Sequence, residues 1–356
     1  MLGLANNITN TNFKHKSCGN LFNPPVYTAN QFVKDLNSVE DSRLKGNFIA
    51  RNLGSPTAYW GGLGIILLGE LACFAKIRSA KKSDMTTLKL KKAFKNKMLL
   101  ILSGALAGGI AFGVAVQKWQ NKIIDKKSDK PQEFLERFGS DTSAKLADKH
   151  LRSSILAAQY NIINGTIEIN KNYIHDPIGK KLVEKYIKHE LQHARQFEMI
   201  AGLDNGLEKL NYACFYNLAN NIKKNSVALA QIKNVIDEIN NDTNGRFNNI
   251  KVPISGAKVD LKNYVRALDI MINNPQAKPE DVPILIDAEH YKRALAKRGV
   301  LSETEMQKAE EYYQAMLKYP VMSGLNLFNP FSGYRSNILE KEARKASRTK
   351  TGKLQA

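Results

Sequence analysis

Two stretches of the chain are apolar with no polar face, and most of the remainder sets apolar among polar positions at helical spacing. Met98 to Gln117 is uncharged across twenty positions, long enough for a helix to cross a hydrocarbon core of about 30 Å. Ala58 to Ala75 is shorter, opens on Tyr59 and Trp60 as interfacial aromatics do, and carries Glu70. A carboxyl group at that depth is expected to be turned into the helix pair. Gly104-x-x-x-Gly108 and Gly109-x-x-x-Gly113 offer small faces for close packing. Residues 58–117 are therefore expected to form a two-span transmembrane hairpin joined by a basic loop, 76–97. Two buried helices of a soluble protein are the competing reading.

Beyond the hairpin the spacing predicts helices over 142–159, 178–201, 206–222, 225–240, 258–273, 287–298, 303–318 and 336–347. Pro177, behind Asp176, suits the first turn of the second of these, because its missing N–H would be unpaired there in any case. Ile163 to Asn170 reads as a turn followed by a short alternating strand, and Val252 to Val259 as a short strand or extended loop. Residues 1–57 are rich in Asn, contain Pro24-Pro25 and keep no sustained period, so a mostly disordered arm is expected. Residues 118–140 read as a basic, polar connector in which Pro131 opens a helix. The expected fold class is mainly α: a transmembrane helical hairpin, then a mostly helical domain over 141–356 with a short β-strand element and a basic C-terminal tail.

The net charge of +20 is spread along the whole chain. Loop 76–97 holds nine basic residues, and eight flank the two spans (Arg43, Lys45, Arg51, Lys118, Lys122, Lys126, Lys127 and Lys130). The positive-inside rule therefore leaves the orientation open. Anionic lipid headgroups account for the charge around the spans, so a lipid bilayer is an expected partner. No nucleic-acid module accompanies the charge, and nucleic acid is not expected. Met1 to Tyr27 lacks the apolar core of a cleavable signal peptide, so the first span would serve as an uncleaved anchor. Three widely spaced cysteines, Cys18, Cys73 and Cys214, indicate neither a disulfide framework nor a zinc cluster, which leans towards a cytoplasmic domain.

The chemistry is concentrated in His189-Glu190-Leu191-Gln192-His193, an HExxH sequence inside the predicted helix 178–201. Residues four apart share one helix face, so both imidazoles reach one ion while Glu190 projects beside them. That is the ligand and base arrangement of a zinc-dependent peptidase. A solvated helix face that binds nothing is the competing reading. A catalytic site needs a third protein ligand. A metzincin would place a histidine where Met199 stands. The better candidates are Glu340 and Glu342, on a short helix capped by Ser336 or Asn337 after a loop rich in Pro, Gly and Asn. His290 with Asp287 or Glu289, His175 and His150 are the other donors. Tyr334 could stabilise an oxyanion, or be an ordinary buried tyrosine. Gln196, one turn beyond His193, either supports the site or faces water.

HELQHARQ with a distant Glu-x-Glu-Ala resembles the gluzincin group of zinc metallopeptidases, in particular small bacterial proteins with an HExxHxxQ helix and a later Tyr…Glu-x-Glu-Ala segment. The resemblance implies a zincin-like domain, Zn2+ held by His189 and His193, and Glu190 as general base. It makes Glu340 the third ligand ahead of Glu342, because Ala343 falls three residues after it. The group's acidic or amide residue after that alanine is Arg344 here, so a different group must orient the ligand imidazole. The function expected is a membrane-anchored metallopeptidase acting on protein or peptide substrate. The alternative is a membrane-bound interaction or scaffold protein with a non-catalytic HExxH, and the position of the third ligand separates the two.

Overall fold

A computed structural model describes residues 27–45, 52–80, 88–124, 135, 142–149, 157–174, 176–254, 257–318 and 336–348. The elements in chain order are α1 (Ala29–Lys45), α2 (Pro56–Ala80), α3 (Leu88–Ile124), β1 (Lys145–Lys149), β2 (Ala158–Asn161), β3 (Thr166–Asn170) and the single turn α4 (Lys171–Ile174). They continue with α5 (Gly179–Ala201), α6 (Gly206–Lys224), α7 (Ser226–Asn240), β4 (Lys251–Ile254), β5 (Ala257–Asp260) and α8 (Leu261–Asn273). A 3-10 turn at Pro279–Asp281 precedes α9 (Ala288–Arg298), α10 (Glu303–Leu317) and α11 (Ile338–Ala346). The molecule is mainly helical, with a few short strands and two long apolar helices.

Helix α5 is the centre of the domain. Val183, Ile187, Leu191 and Ala194 form a face with no solvent exposure, against which β2, α6, α10 and α11 pack. The spacing of these four residues follows the helical period, so one stripe buries completely while the opposite side stays polar. Strand β3 lies in the middle of a three-stranded sheet, parallel to β1 (Lys145 opposite Thr166) and antiparallel to β2 (Ala158 opposite Ile169). The β2–β3 turn passes through Gly165 at φ +65°, and a side chain there would collide with the His290 ring.

Several elements differ from the expectation. Residues 142–159 were expected to form one helix, but β1 and β2 occupy the described parts of that range. Their helix-forming side chains yield to ladder hydrogen bonds on both edges of β3, a tertiary gain that local propensity does not register. The expected disordered arm holds α1, whose Phe32 and Leu36 enter the core beside β4 and α7. Phe32 stacks on Tyr264 at 6.2 Å, and Glu238 accepts a 2.7 Å hydrogen bond from the Ala29 N–H. Helix α3 runs on to Ile124, so the first part of the expected connector is helix; Pro131 lies outside the described residues. Val252 to Val259 falls on the β4–β5 hairpin.

Helices α2 and α3 are both long and apolar enough to cross a membrane, and only 11% of the apolar window of each is buried. They pack on each other through small residues. A Cβ on Gly109 would lie 2.6 Å from the Gly62 carbonyl oxygen, and one on Gly69 would lie 2.2 Å from Ala105 Cβ. Of the two glycine pairs, Gly109 and Gly113 face this contact, whereas Gly104 has nothing within 4 Å. Glu70 is exposed and does not turn into the pair as expected.

Asp176 joins this hairpin to the domain. It is almost fully buried, and its Oδ1 accepts from Ile178 N (2.9 Å) and Gly179 N (2.8 Å), closing the first turn of α5. Its Oδ2 accepts from Thr57 N (2.9 Å) at the start of α2 and from Gln120 Nε2 (2.8 Å) near the end of α3. Gln117 reinforces the junction by accepting from Ser55 N (2.7 Å) and donating to Asn172 Oδ1 (3.1 Å).

Asp176→Ala is expected to destabilise the protein by at least about 3 kcal/mol, since each buried donor left unpaired costs about 1–3 kcal/mol. Limited proteolysis should then cut between α3 and the domain. Gly109→Leu is expected to cost about 1–3 kcal/mol by forcing α2 and α3 apart, measured by denaturant unfolding of the purified protein in detergent.

Candidate metal centre

The helix carrying the HExxH sequence presents His189 and His193 on one side, one turn apart, with their rings edge to face at 4.8 Å between centroids. His193 stacks on Phe197 at 6.0 Å, and Phe197 in turn stacks on Tyr160 of β2 at 5.7 Å. The second half of the cluster comes from α11. Asn337 caps this helix by accepting from Leu339 N (3.0 Å) and donates to the Ala315 carbonyl (2.9 Å). Leu339 and Ala343 are buried, which fixes the rotation of α11 and points Glu340 at the histidines.

His189 Nε2 and His193 Nε2 are 3.2 Å apart, and each lies 3.4 Å from an oxygen of Glu340. Among the described residues these three form the one group of metal-ligating side chains placed to hold an ion. In a tetrahedral site with metal–ligand bonds of about 2.0–2.1 Å, ligand atoms are about 3.3–3.4 Å apart. The separation of the two imidazole nitrogens is close to an edge of such a site, and the two Glu340 oxygens lie at similar distances, one from each imidazole.

Gln196 lies behind the histidines and is fully buried. Its Oε1 is 2.9 Å from His193 Nδ1, and its Nε2 donates to the Leu339 carbonyl at 3.1 Å. With the amide oxygen as acceptor, His193 carries its proton on Nδ1 and turns Nε2 towards the cluster. Gln196 thereby supplies the orienting group that Arg344 could not, and it ties α5 to α11. Arg344 instead approaches Glu340 at 3.9 Å.

Glu190 is buried, and its Oε2 accepts a 2.7 Å hydrogen bond from the Tyr160 N–H of β2. Burial raises the pKa of its carboxyl group against the lowering effect of the two imidazoles. Glu342 points away from the cluster, accepting from the Tyr312 hydroxyl and pairing with Lys308 at 3.2 Å. It is not placed as a third ligand. His290 is also elsewhere, with Nε2 3.2 Å from Ser143 Oγ, which donates to Glu198. Asp287 caps α9, and Glu289 pairs with Lys292 at the surface. Tyr334, His175 and His150 lie outside the described residues. The contribution of Tyr160 had no signature in the sequence, because it is made by the backbone.

Comparison with known protein families, with characterised proteins and with solved structures returns no match for this chain.

Burial pulls the His193 pKa down, but the hydrogen bond and charge of Glu340, helped by Glu190, carry it up to about 9. The imidazoles in turn hold Glu340 well below the usual carboxylate range despite its burial. In metal-free protein the His193 contribution to stability is complete below its ordinary value of 6.5 and is lost as pH rises through about 9. The Glu340 contribution is present above 4.5 and is lost as pH falls. Chelated protein should therefore lose thermal stability between pH 6.5 and 9, and His193→Gln should abolish that slope. Because a bound metal displaces the proton, added zinc should raise Tm more at pH 8 than at pH 6.

Proposed function

We propose that the chain is a membrane-anchored, zinc-dependent metallopeptidase of the gluzincin type, built on a zincin-like domain. The observation that carries this reading is the convergence of His189, His193 and Glu340, whose ligand atoms lie within 4.8 Å of one another, with Glu190 beside them. A charged surface helix would have no reason to turn one carboxylate into the interior against two imidazoles, since burying it alone is costly. A buried and a half-buried histidine with one buried carboxylate make a ligand set suited to zinc, which would polarise a carbonyl and acidify a water.

The chain's own residues divide the remaining work. Gln196 sets the tautomer of His193. The Tyr160 N–H holds one oxygen of Glu190, leaving the other to take a proton from the attacking water and return it to the leaving amine. The raised pKa of Glu190 suits a base that must later act as an acid. Helices α2 and α3, whose apolar faces are turned outward, would anchor the protein in the bilayer.

Full-length protein purified in detergent should carry about one zinc per chain. His189→Ala/His193→Ala should lose it, whereas Glu190→Gln should keep it and cleave casein at least about 100-fold more slowly. A folded wild-type protein that takes up no zinc when offered it would sink the proposal.

A further inference from the structure

The hairpin end nearest the domain has the makings of a membrane-interface level. Tyr59 and Trp60 stand at the start of α2 and Trp119 near the end of α3; the two tryptophans are 59% and 62% exposed although they flank a buried junction. Exposed amphipathic rings at both helix ends suit the headgroup region, where one side is apolar and the other wet. Asp176 accepts from Thr57, three residues before Trp60, and from Gln120, the neighbour of Trp119. The same carboxylate closes the first turn of α5. The N-terminus of the metal-site helix is thereby bolted to the level of these aromatics. Around it Ile178 is 46% exposed, and Lys180, Lys181, Lys118 and Lys122 are exposed. An exposed apolar side chain on an end of the domain that also carries exposed lysines complements an anionic headgroup surface.

From Gly179 to His189 and His193 the helix climbs about 15–21 Å at 1.5 Å per residue. That rise caps the distance of the centre from the first turn of α5 whatever the tilt of the helix. We propose that the first turn of α5 rests on an anionic bilayer surface and that the centre, held within about 20 Å of it, acts on membrane-proximal stretches of polypeptide outside the hydrocarbon. The placement rests on the junction and on α2 and α3 entering the bilayer; the substrate class rests on the metallopeptidase reading. Bonds within the hydrocarbon would not reach the centre, and chain far from the surface would gain nothing from the anchor. A segment held at the surface is instead presented at raised effective concentration.

Two readouts test the two halves on full-length protein in vesicles of phosphatidylcholine with phosphatidylglycerol. In the first, nitroxides on the headgroup or deep in the acyl chain quench Trp60 and Trp119, and a probe on Lys181→Cys in a Cys18→Ser background. Strong headgroup quenching of all three, with little deep quenching of the Lys181 probe, is expected. A Lys181 probe quenched by neither lipid, or tryptophans quenched chiefly by the deep one, overturns the placement. In the second, one cleavable peptide is offered free in solution, or lipid-anchored with about 2, 6 or 20 residues before the scissile bond, six spanning about 20 Å when extended. Cleavage at the six-residue spacing at least about 10-fold faster than for the free peptide is expected. Equal rates for all four overturn the substrate class while leaving a metallopeptidase. No cleavage of any, with zinc bound, overturns the substrate class together with the peptidase reading, and the quenching result decides the placement independently.

Discussion

Glu190, His193 and Glu340 are all nearly removed from solvent, and no one of them could be buried alone without a large desolvation cost. The local structure of the domain is organised around meeting that cost jointly. The Glu340 carboxylate lies between two imidazoles, Gln196 satisfies His193 from behind, and the Tyr160 N–H satisfies Glu190. Each of these partners arrives on a different element, so the centre exists only when α5, α11 and β2 are packed together. The apolar stripe Val183, Ile187, Leu191 and Ala194 does the packing, while the polar residues between those positions set what the packing must satisfy.

The same economy governs the attachment of the hairpin. Two apolar helices held only by their glycine contacts would be free to swing against the domain. Asp176 removes that freedom by giving each carboxylate oxygen two donors, one pair on α5 and one pair shared between α2 and α3. Because charge-assisted hydrogen bonds are directional and about twice as strong as neutral ones, one buried side chain sets both the start of the helix that carries the histidine pair and the end of the hairpin. The orientation of the centre towards any bilayer is then a property of this junction.

The helices of the domain were legible where the chain marks their ends. Gly202 and Gly206 separate α5 from α6, Asn225 caps α7, and the Ser302–Glu305 capping box opens α10, each within a residue or two of the expected boundary. The failures came where local marks and tertiary demands disagree. Residues 142–159 have helical composition but supply β1 and β2, because β3 needs partners on both edges. The Asn-rich segment looked too polar to fold, yet Phe32 and Leu36 dock α1 once β4 and α7 offer a surface.

His189, Glu190 and His193 were readable from sequence because a helix converts a spacing of four into adjacency, a purely local rule. The apolar length of the two hairpin helices was readable for a similar reason, since length and composition alone decide whether a helix is long enough to cross a membrane. The choice of Glu340 over Glu342 could be suggested by resemblance, but it was decided by the rotation of α11, which depends on where Leu339 and Ala343 are buried. The roles of Gln196, Tyr160 and Asp176 were likewise settled only in three dimensions. Each acts through partners distant in sequence, and a hydrogen bond depends on where two groups end up in space, which the order of residues along the chain does not state.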